Sequence, residues 1–176
     1  LGGAADGLVD VWEWRGATSD AGEGWADTPT LGEPPPPRTH HAAAYDAGRD
    51  ITVLFGGHSD EGARLDTWEW DEGSWTSASS GALAALGGRS NHAMSYDAER
   101  GVTVLFGGQV NMGEGMLGDT WEWTDEAQAE HTWVLHQPQG DTPTSRAGHF
   151  LGYDPAWDMT MLIGGHDGTQ PCQDIW

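Results

Sequence analysis

Apolar and polar positions along this chain fall into short runs that recur. Residues 51–57 read Ile-Thr-Val-Leu-Phe-Gly-Gly, residues 102–108 Val-Thr-Val-Leu-Phe-Gly-Gly, and residues 159–165 Met-Thr-Met-Leu-Ile-Gly-Gly. Runs this apolar and β-branched predict strands covered on both faces. Each is preceded by Arg-x-x-His and Tyr-Asp: Arg38 to His41 with Tyr45-Asp46, Arg89 to His92 with Tyr96-Asp97, and Arg146 to His149 with Tyr153-Asp154. Each is followed by an acidic-aromatic block: Asp66-Thr67-Trp68-Glu69-Trp70, Asp119-Thr120-Trp121-Glu122-Trp123, and Asp174-Ile175-Trp176. The block also appears early, as Asp10-Val11-Trp12-Glu13-Trp14, and a further Trp follows it at Trp25, Trp75 and Trp133. The first full unit predicts four extended segments: a (41–46), b (51–57), c (66–71) and d (74–79), with a tight turn from Asp46 to Asp50 joining a to b.

A four-strand unit of roughly 50 residues repeated in tandem is the pattern of a propeller blade. The order Arg-x-x-His, Tyr-Asp, apolar strand ending in Gly-Gly, aromatic c strand and d-strand Trp resembles the kelch repeat over nearly the whole chain. The resemblance implies antiparallel four-stranded blades with strand a innermost, in rings that commonly hold six or seven blades. The expected fold is therefore all-β, a kelch-type β-propeller fragment. Its expected divisions are a partial blade at 1–36 (end of b, then c and d), full blades at 37–87 and 88–144, and a partial blade at 145–176 (a, b and the start of c). Leu1-Gly2-Gly3 reads as the tail of another b strand. A piece of a longer chain is the first expectation; the alternative is that the a–b part of one copy completes the c–d part of another through open strand edges.

Residue roles follow from this architecture. Strand a is small where it would crowd the axis, at Ala42, Ala43, Ala44, Ala93 and Ser95. Side chains alternate along a strand, so Trp68 and Trp70, like Trp121 and Trp123, share one face and are placed to pack on a neighbouring blade, with Glu69 and Glu122 opposite. Gly56 and Gly57, Gly107 and Gly108, and Gly164 and Gly165 lack a Cβ, so a bulky ring can press onto the backbone there. His41, His92 and His149 hold one repeat position and are expected to be architectural, hydrogen-bonded to a neighbouring strand. Five of the seven Arg are also fixed in register (Arg38, Arg89, Arg146, Arg49 and Arg100), with Glu69 and Glu122 as expected partners.

Charge narrows the function classes. The chain carries 28 acidic residues against 7 basic ones, a formal charge of −21. Every base is Arg. Such a field repels nucleic acid and anionic membrane surfaces and suits cationic partners or divalent ions. Without Lys, Schiff-base chemistry and a P-loop lysine are excluded. No run is apolar enough to insert into a membrane. The lone Cys172 supports no internal disulfide framework. An extracellular or cell-surface setting, in a secreted bacterial protein, is expected.

Strand direction alternates, so b–c and d–a connections emerge on one face. They include 58–65, 109–117 and 166–172 (b–c), and the proline run 34–37 and 76–88 (d–a). Long loops on a rigid scaffold usually carry binding residues. The ligand-binding candidates are His58, Asp60, Glu61, Arg64, Gln109, Asn111, Glu114, His166 and Asp167. His58 and His166 both follow glycine pairs, but Gln109 stands at the equivalent position between them, so no metal site and no cofactor is expected. The resemblance also reaches copper radical oxidases of the galactose-oxidase type; all three Tyr are at one repeat position, leaving none spare for a copper site. Thr18-x-Asp20-x-Gly22-x-x-Trp25 fits an Asp-box, which is a folding turn. The expected function is a non-catalytic scaffold binding protein or glycan through the b–c and d–a face. The alternatives are a propeller domain of a larger extracellular enzyme, or a self-assembling structural protein.

Overall fold

The computed structural model describes residues 11–16, 22–78, 83–124 and 131–176. Leu1 to Gly3, Asp10, Thr18, Asp20 and the expected end of strand d at residue 79 lie outside the described residues. What is described is built from antiparallel sheets in chain order. A first hairpin pairs β1 (Val11–Arg15) with β2 (Gly24–Thr28). A four-stranded sheet follows, in the order β3 (Ala42–Asp46), β4 (Ile51–Phe55), β7 (Thr67–Asp71), β8 (Ser74–Ser77). A small hairpin, β5 (His58–Ser59) with β6 (Gly62–Ala63), is inserted between β4 and β7. The second four-stranded sheet runs β9 (Ala93–Asp97), β10 (Val102–Asn111), β11 (Glu114–Thr124), β12 (Thr132–His136). A last pair joins β13 (Phe150–Asp154) to β14 (Met159–Ile163), with an isolated bridge from Ile163 to Ile175. These are the four-stranded blades expected from the repeat, with β3, β9 and β13 adjacent as the inner strands.

Three segments differ from the expectation. Residues 58–65, expected as a loop, contain the β5–β6 hairpin, folded around a turn at Asp60 and Glu61. Residues 109–117 were expected as a loop but form the outer half of the β10–β11 ribbon, which continues past a register shift between Phe106 and Gly108. Gln109 to Asn111 can alternate across a pleat, and a turn at Met112 and Gly113, with Gly113 at φ 87°, folds the chain back. The segment 76–88 contains one helical turn, α1 (Leu83–Leu86). Burial explains it: Leu86 is 2% exposed and joins the core between the two full sheets.

Strand b is covered on both sides. On β10, Leu105 faces the first full sheet, packing with Val53, Phe55, Trp121, Trp123 and Trp133. Val102, Val104 and Phe106 face the other way, onto Leu151 and Leu162. The c and d tryptophans seal the junction with the preceding sheet. Trp133 meets Phe55 at 5.2 Å between centroids and donates its indole N–H to Thr67 Oγ1 at 2.9 Å. Trp123 donates to Glu69 Oε1 at 3.2 Å. A buried indole needs such a partner.

At the first glycine of the pairs 56–57 and 107–108, neighbouring sheets approach closely. Gly56 and Gly57 have φ of 62° and 102°, a region open to Gly and strained for most residues. A Cβ on Gly56 would lie 2.6 Å from the Arg89 carbonyl and 3.0 Å from the His92 ring. One on Gly57 would meet its own sheet, at the Thr39 carbonyl (2.8 Å) and His41 Cβ (3.0 Å). The ring that presses on the backbone is thus an imidazole of the next sheet.

Candidate functional site

The face that carries the b–c and d–a connections is pinned by one residue set repeated three times. Arg38 donates to the Gly56 carbonyl at 3.0 Å and to both oxygens of Asp66 at 2.6 and 2.7 Å. Arg89 does the same to the Gly107 carbonyl (3.0 Å) and Asp119 (2.7 and 2.9 Å), and also reaches the Leu86 carbonyl. Arg146 binds the Gly164 carbonyl (3.0 Å) and Asp174 (2.5 and 2.8 Å). Each Asp also accepts the indole N–H two residues on, from Trp68, Trp121 and Trp176, at 2.7, 2.6 and 2.8 Å. Burial works to raise the Asp66 and Asp119 carboxyls, but the guanidinium and indole donors outweigh it and hold both below the usual carboxylate range. The Arg146 hydrogen bond likewise depresses Asp174. Thus the entry to strand a, the end of b and the start of c are locked together beneath the loops.

The opposite face has its own repeated pairing. Arg49 bridges Asp46 and Glu69, each at 2.7 Å, and Arg100 bridges Asp97 (2.7 Å) and Glu122. Glu69 and Glu122 are therefore Arg partners, as expected. Asp66, Asp119 and Asp174, the partners of the other three register-fixed Arg, were not foreseen.

Directly above the pinned floor, the residue after each glycine pair forms a two-way backbone bridge to the residue after each Arg. Thr39 and His58 exchange bonds of 2.9 and 2.8 Å, Ser90 and Gln109 of 3.0 and 2.9 Å, Ala147 and His166 of 3.0 and 3.0 Å. The first bridge forms one side of a cleft of about 430 Å³ lined by Pro37, Arg38, Thr39, His58, Ser59, Asp60, Glu61 and Arg64. It gathers four of the candidates. Asp60 and Glu61 are exposed at the β5–β6 turn, and Glu61 pairs with Arg64 at 3.0 Å. Pro37 and Thr39 complete the wall from the d–a side; their signal in the sequence was their place beside a register-fixed Arg.

The remaining candidates lie on the neighbouring connections. Asn111 and Glu114 pair across the end of the β10–β11 ribbon. Gln109 is 3% exposed, and its side-chain oxygen accepts from Gly113 N–H at 3.2 Å, so this amide holds its own hairpin together. Asp167 Oδ1 accepts from Thr169 Oγ1 (2.7 Å), Thr169 N (2.8 Å) and Gln170 N (2.9 Å), which organises the turn and lowers the carboxyl to about 2. His166 is exposed, with its Nδ1 accepting from Gly168 N–H at 3.1 Å. A Cβ on Gly168 would lie 3.4 Å from Met116 Cγ, which sets this turn against the ribbon before it. Among the described residues, no group of three or more His, Cys, Asp or Glu is arranged to hold a metal ion.

The three repeat histidines are architectural by packing. They were expected to hydrogen-bond a neighbouring strand. The carbonyls of Phe55 and Phe106, on strand b of the preceding sheet, act on His92 and His149, although neither ring makes a hydrogen bond of ordinary geometry, and Nδ1 of His41 is buried without one.

Comparison with known proteins agrees with this architecture. The family model for the KLHDC2/KLHL20/DRC7 Kelch-repeats domain matches residues 17–176. "Multiple epidermal growth factor-like domains protein 8" of Homo sapiens, and that of Rattus norvegicus, is 31% identical over 137 residues, 76% of this chain and 5% of the relative. "Dynein regulatory complex subunit 7" of Chlamydomonas reinhardtii is 47% identical over 53 residues, 30% of this chain and 5% of the relative. The chain thus spans about a twentieth of the length of these curated relatives. Kelch-repeat domains are typically protein-interaction scaffolds and generally non-catalytic. By its blades, its glycine-pair seams and this match over residues 17–176, the chain belongs to the KLHDC2/KLHL20/DRC7 Kelch-repeats family.

Proposed function

We propose that this chain is a non-catalytic scaffold that binds a protein or glycan ligand through the face formed by its b–c and d–a connections, in an extracellular or cell-surface setting. The observation that carries the proposal is the cleft between Pro37–Thr39 and the β5–β6 hairpin. It combines exposed carboxylates, an imidazole and a guanidinium over a floor fixed by the Arg38–Asp66 pair. A polar cleft on a rigid base offers several hydrogen-bonding groups at little ordering cost, which is what a recognition surface needs. The acidic field favours encounter with cationic partners, and the exposed setting is supported by the −21 charge and the absence of Lys.

Peptide and glycan arrays probed with the chain, and with His58→Ala, Asp60→Ala and His166→Ala, test this face. None of the three side chains supports the core, so circular dichroism is expected to be unchanged. His58→Ala and Asp60→Ala are expected to weaken binding about tenfold each, the effect of removing one well-placed polar contact of ~1.4 kcal/mol. His166→Ala, on a separate connection, is expected to do so only for a ligand long enough to span the face. Full binding by all three variants would mean that another surface is used.

A further inference from the structure

One imidazole stands in each internal seam between sheets. His92 leads into β9 and is 6% exposed, with its ring edge-on to Phe55 of the preceding sheet at 5.5 Å and 69°. His149 leads into β13 and repeats the arrangement on Phe106 at 5.4 Å and 79°. Each is wedged between two glycine pairs. The His92 ring would meet a Cβ on Gly56 at 3.0 Å, and its own Cβ one on Gly108 at 2.8 Å. The corresponding distances for His149 are 3.2 Å at Gly107 and 2.9 Å at Gly165. There is no room for a hydration shell, and no ring nitrogen makes a hydrogen bond of ordinary geometry. The one group that favours a proton on each ring is a backbone carbonyl, of Phe55 for His92 and of Phe106 for His149.

The charged groups facing the rings are of the wrong sign for a second proton. Arg89 acts on His92 most strongly, followed by the His41 and His149 imidazoles, and Arg146 acts on His149. Both guanidinium groups are committed to Asp119 and Asp174. Arg64, whose carbonyl lies near Gly56, turns its guanidinium to Glu61. The carbonyls of Phe55 and Phe106 favour protonation, but burial first and the arginines second outweigh them. The rings are held neutral, at about 3 for His92 and about 4 for His149.

We propose that the two seams are acid-labile by construction, so that protonation of His92 and His149 parts neighbouring sheets while each sheet keeps its own hydrogen-bonded ladder. A ring kept neutral in the closed seam, and titrating at its ordinary 6.5 in the open one, takes its proton only on opening. Closure is therefore fully favoured above pH 6.5 and weakens as pH falls toward the depressed values of the closed seam. At pH 5 each histidine favours the open seam by about 30-fold relative to pH 8. Seam opening does not depend on which surface binds a ligand.

Hydrogen exchange followed by NMR on the whole chain at pH 7.5 and 5.0, corrected for intrinsic exchange, tests it. The seam amides are those of Gly57 and Gly108, which donate to the carbonyls of Arg89 and Arg146 at 2.9 Å. They are expected to lose about 30-fold in protection, while ladder amides within β4 and β10 lose much less. His92→Gln is expected to remove the loss at Gly57 and leave it at Gly108. Should that variant fail to fold, the ring-proton shifts of the unaltered chain decide: both histidines must stay neutral in the closed form throughout this range. Titration of either ring near 6.5 in the closed form, or equal loss at seam and ladder amides, overturns the proposal, as does unchanged protection.

Discussion

A Cβ at Gly107 would stand 2.6 Å from the Arg146 carbonyl and 3.1 Å from that of Leu117, both backbone atoms that cannot swing aside. The φ of 61° adds backbone strain for any side chain. Gly107→Ala is therefore expected to destabilise the chain by at least about 2 kcal/mol, read from the urea midpoint. An unchanged midpoint would mean that the seam has slack. The residue before each repeat histidine shows the same backbone demand met by different side chains. His40, Asn91 and Gly148 all take positive φ, at 56°, 54° and 65°. Asn91 N–H donates to the His40 carbonyl at 2.9 Å, and Gly148 N–H to the Asn91 carbonyl at 2.8 Å, a chain of bonds from sheet to sheet. Asn and Gly tolerate that conformation well, which is why the position varies in identity while its geometry repeats.

Among the elements, the lead-in to strand a depends on a planar, five-donor cation. Arg89 is 1% exposed and serves Asp119, the Gly107 carbonyl and the Leu86 carbonyl at once. Lys keeps the charge but not the fork. Arg89→Lys is expected to lose about 2–4 kcal/mol of stability, whereas Arg64→Lys, whose partner Glu61 is exposed, is expected to stay within about 0.5 kcal/mol. Equal effects in denaturant titrations would refute a structural role for the buried fork. The strands themselves were readable from the chain: segments a, b, c and d were placed to within about two residues, because glycine pairs, the Asp-Thr-Trp-Glu-Trp block and turn residues punctuate them. The partners of Arg38, Arg89 and Arg146 were not, since 28 acids offer many equivalent choices and pairing across two strands is set only in three dimensions. The β10–β11 ribbon was hidden by its glycines and methionines, and α1 is too short to show a period. At the candidate site, His58, Asp60, Glu61 and Arg64 were found together because they share one connection. The opposing wall, Pro37 and Thr39, belongs to the lead-in to β3, beside β4, and its one signal in the sequence was the register-fixed Arg38 between the two.

At the scale of the whole molecule, the excess of carboxylates acts against the closeness of its own sheets. All seven Arg are paired with carboxylates: Arg38, Arg49, Arg64, Arg89, Arg100 and Arg146 over the two faces and the cleft, and Arg15 with Glu13 at 3.7 Å. Few cations are left to offset the remaining acids, and a net charge of −21 on 176 residues repels itself in the compact state more than in the expanded one. Screening by salt falls mainly on exposed charges beyond about 10 Å of one another, and the buried Arg–Asp forks are little affected. Raising NaCl from 10 to 300 mM, concentrations of roughly 30 and 6 Å screening length, is therefore expected to stabilise the fold. A gain of about 1 kcal/mol, or roughly 2–4 °C in Tm, is the expected size for a chain of this length. A Tm that falls with salt would show that attraction within the exposed ion pairs outweighs the general repulsion, and would reverse the balance drawn here between forks and field.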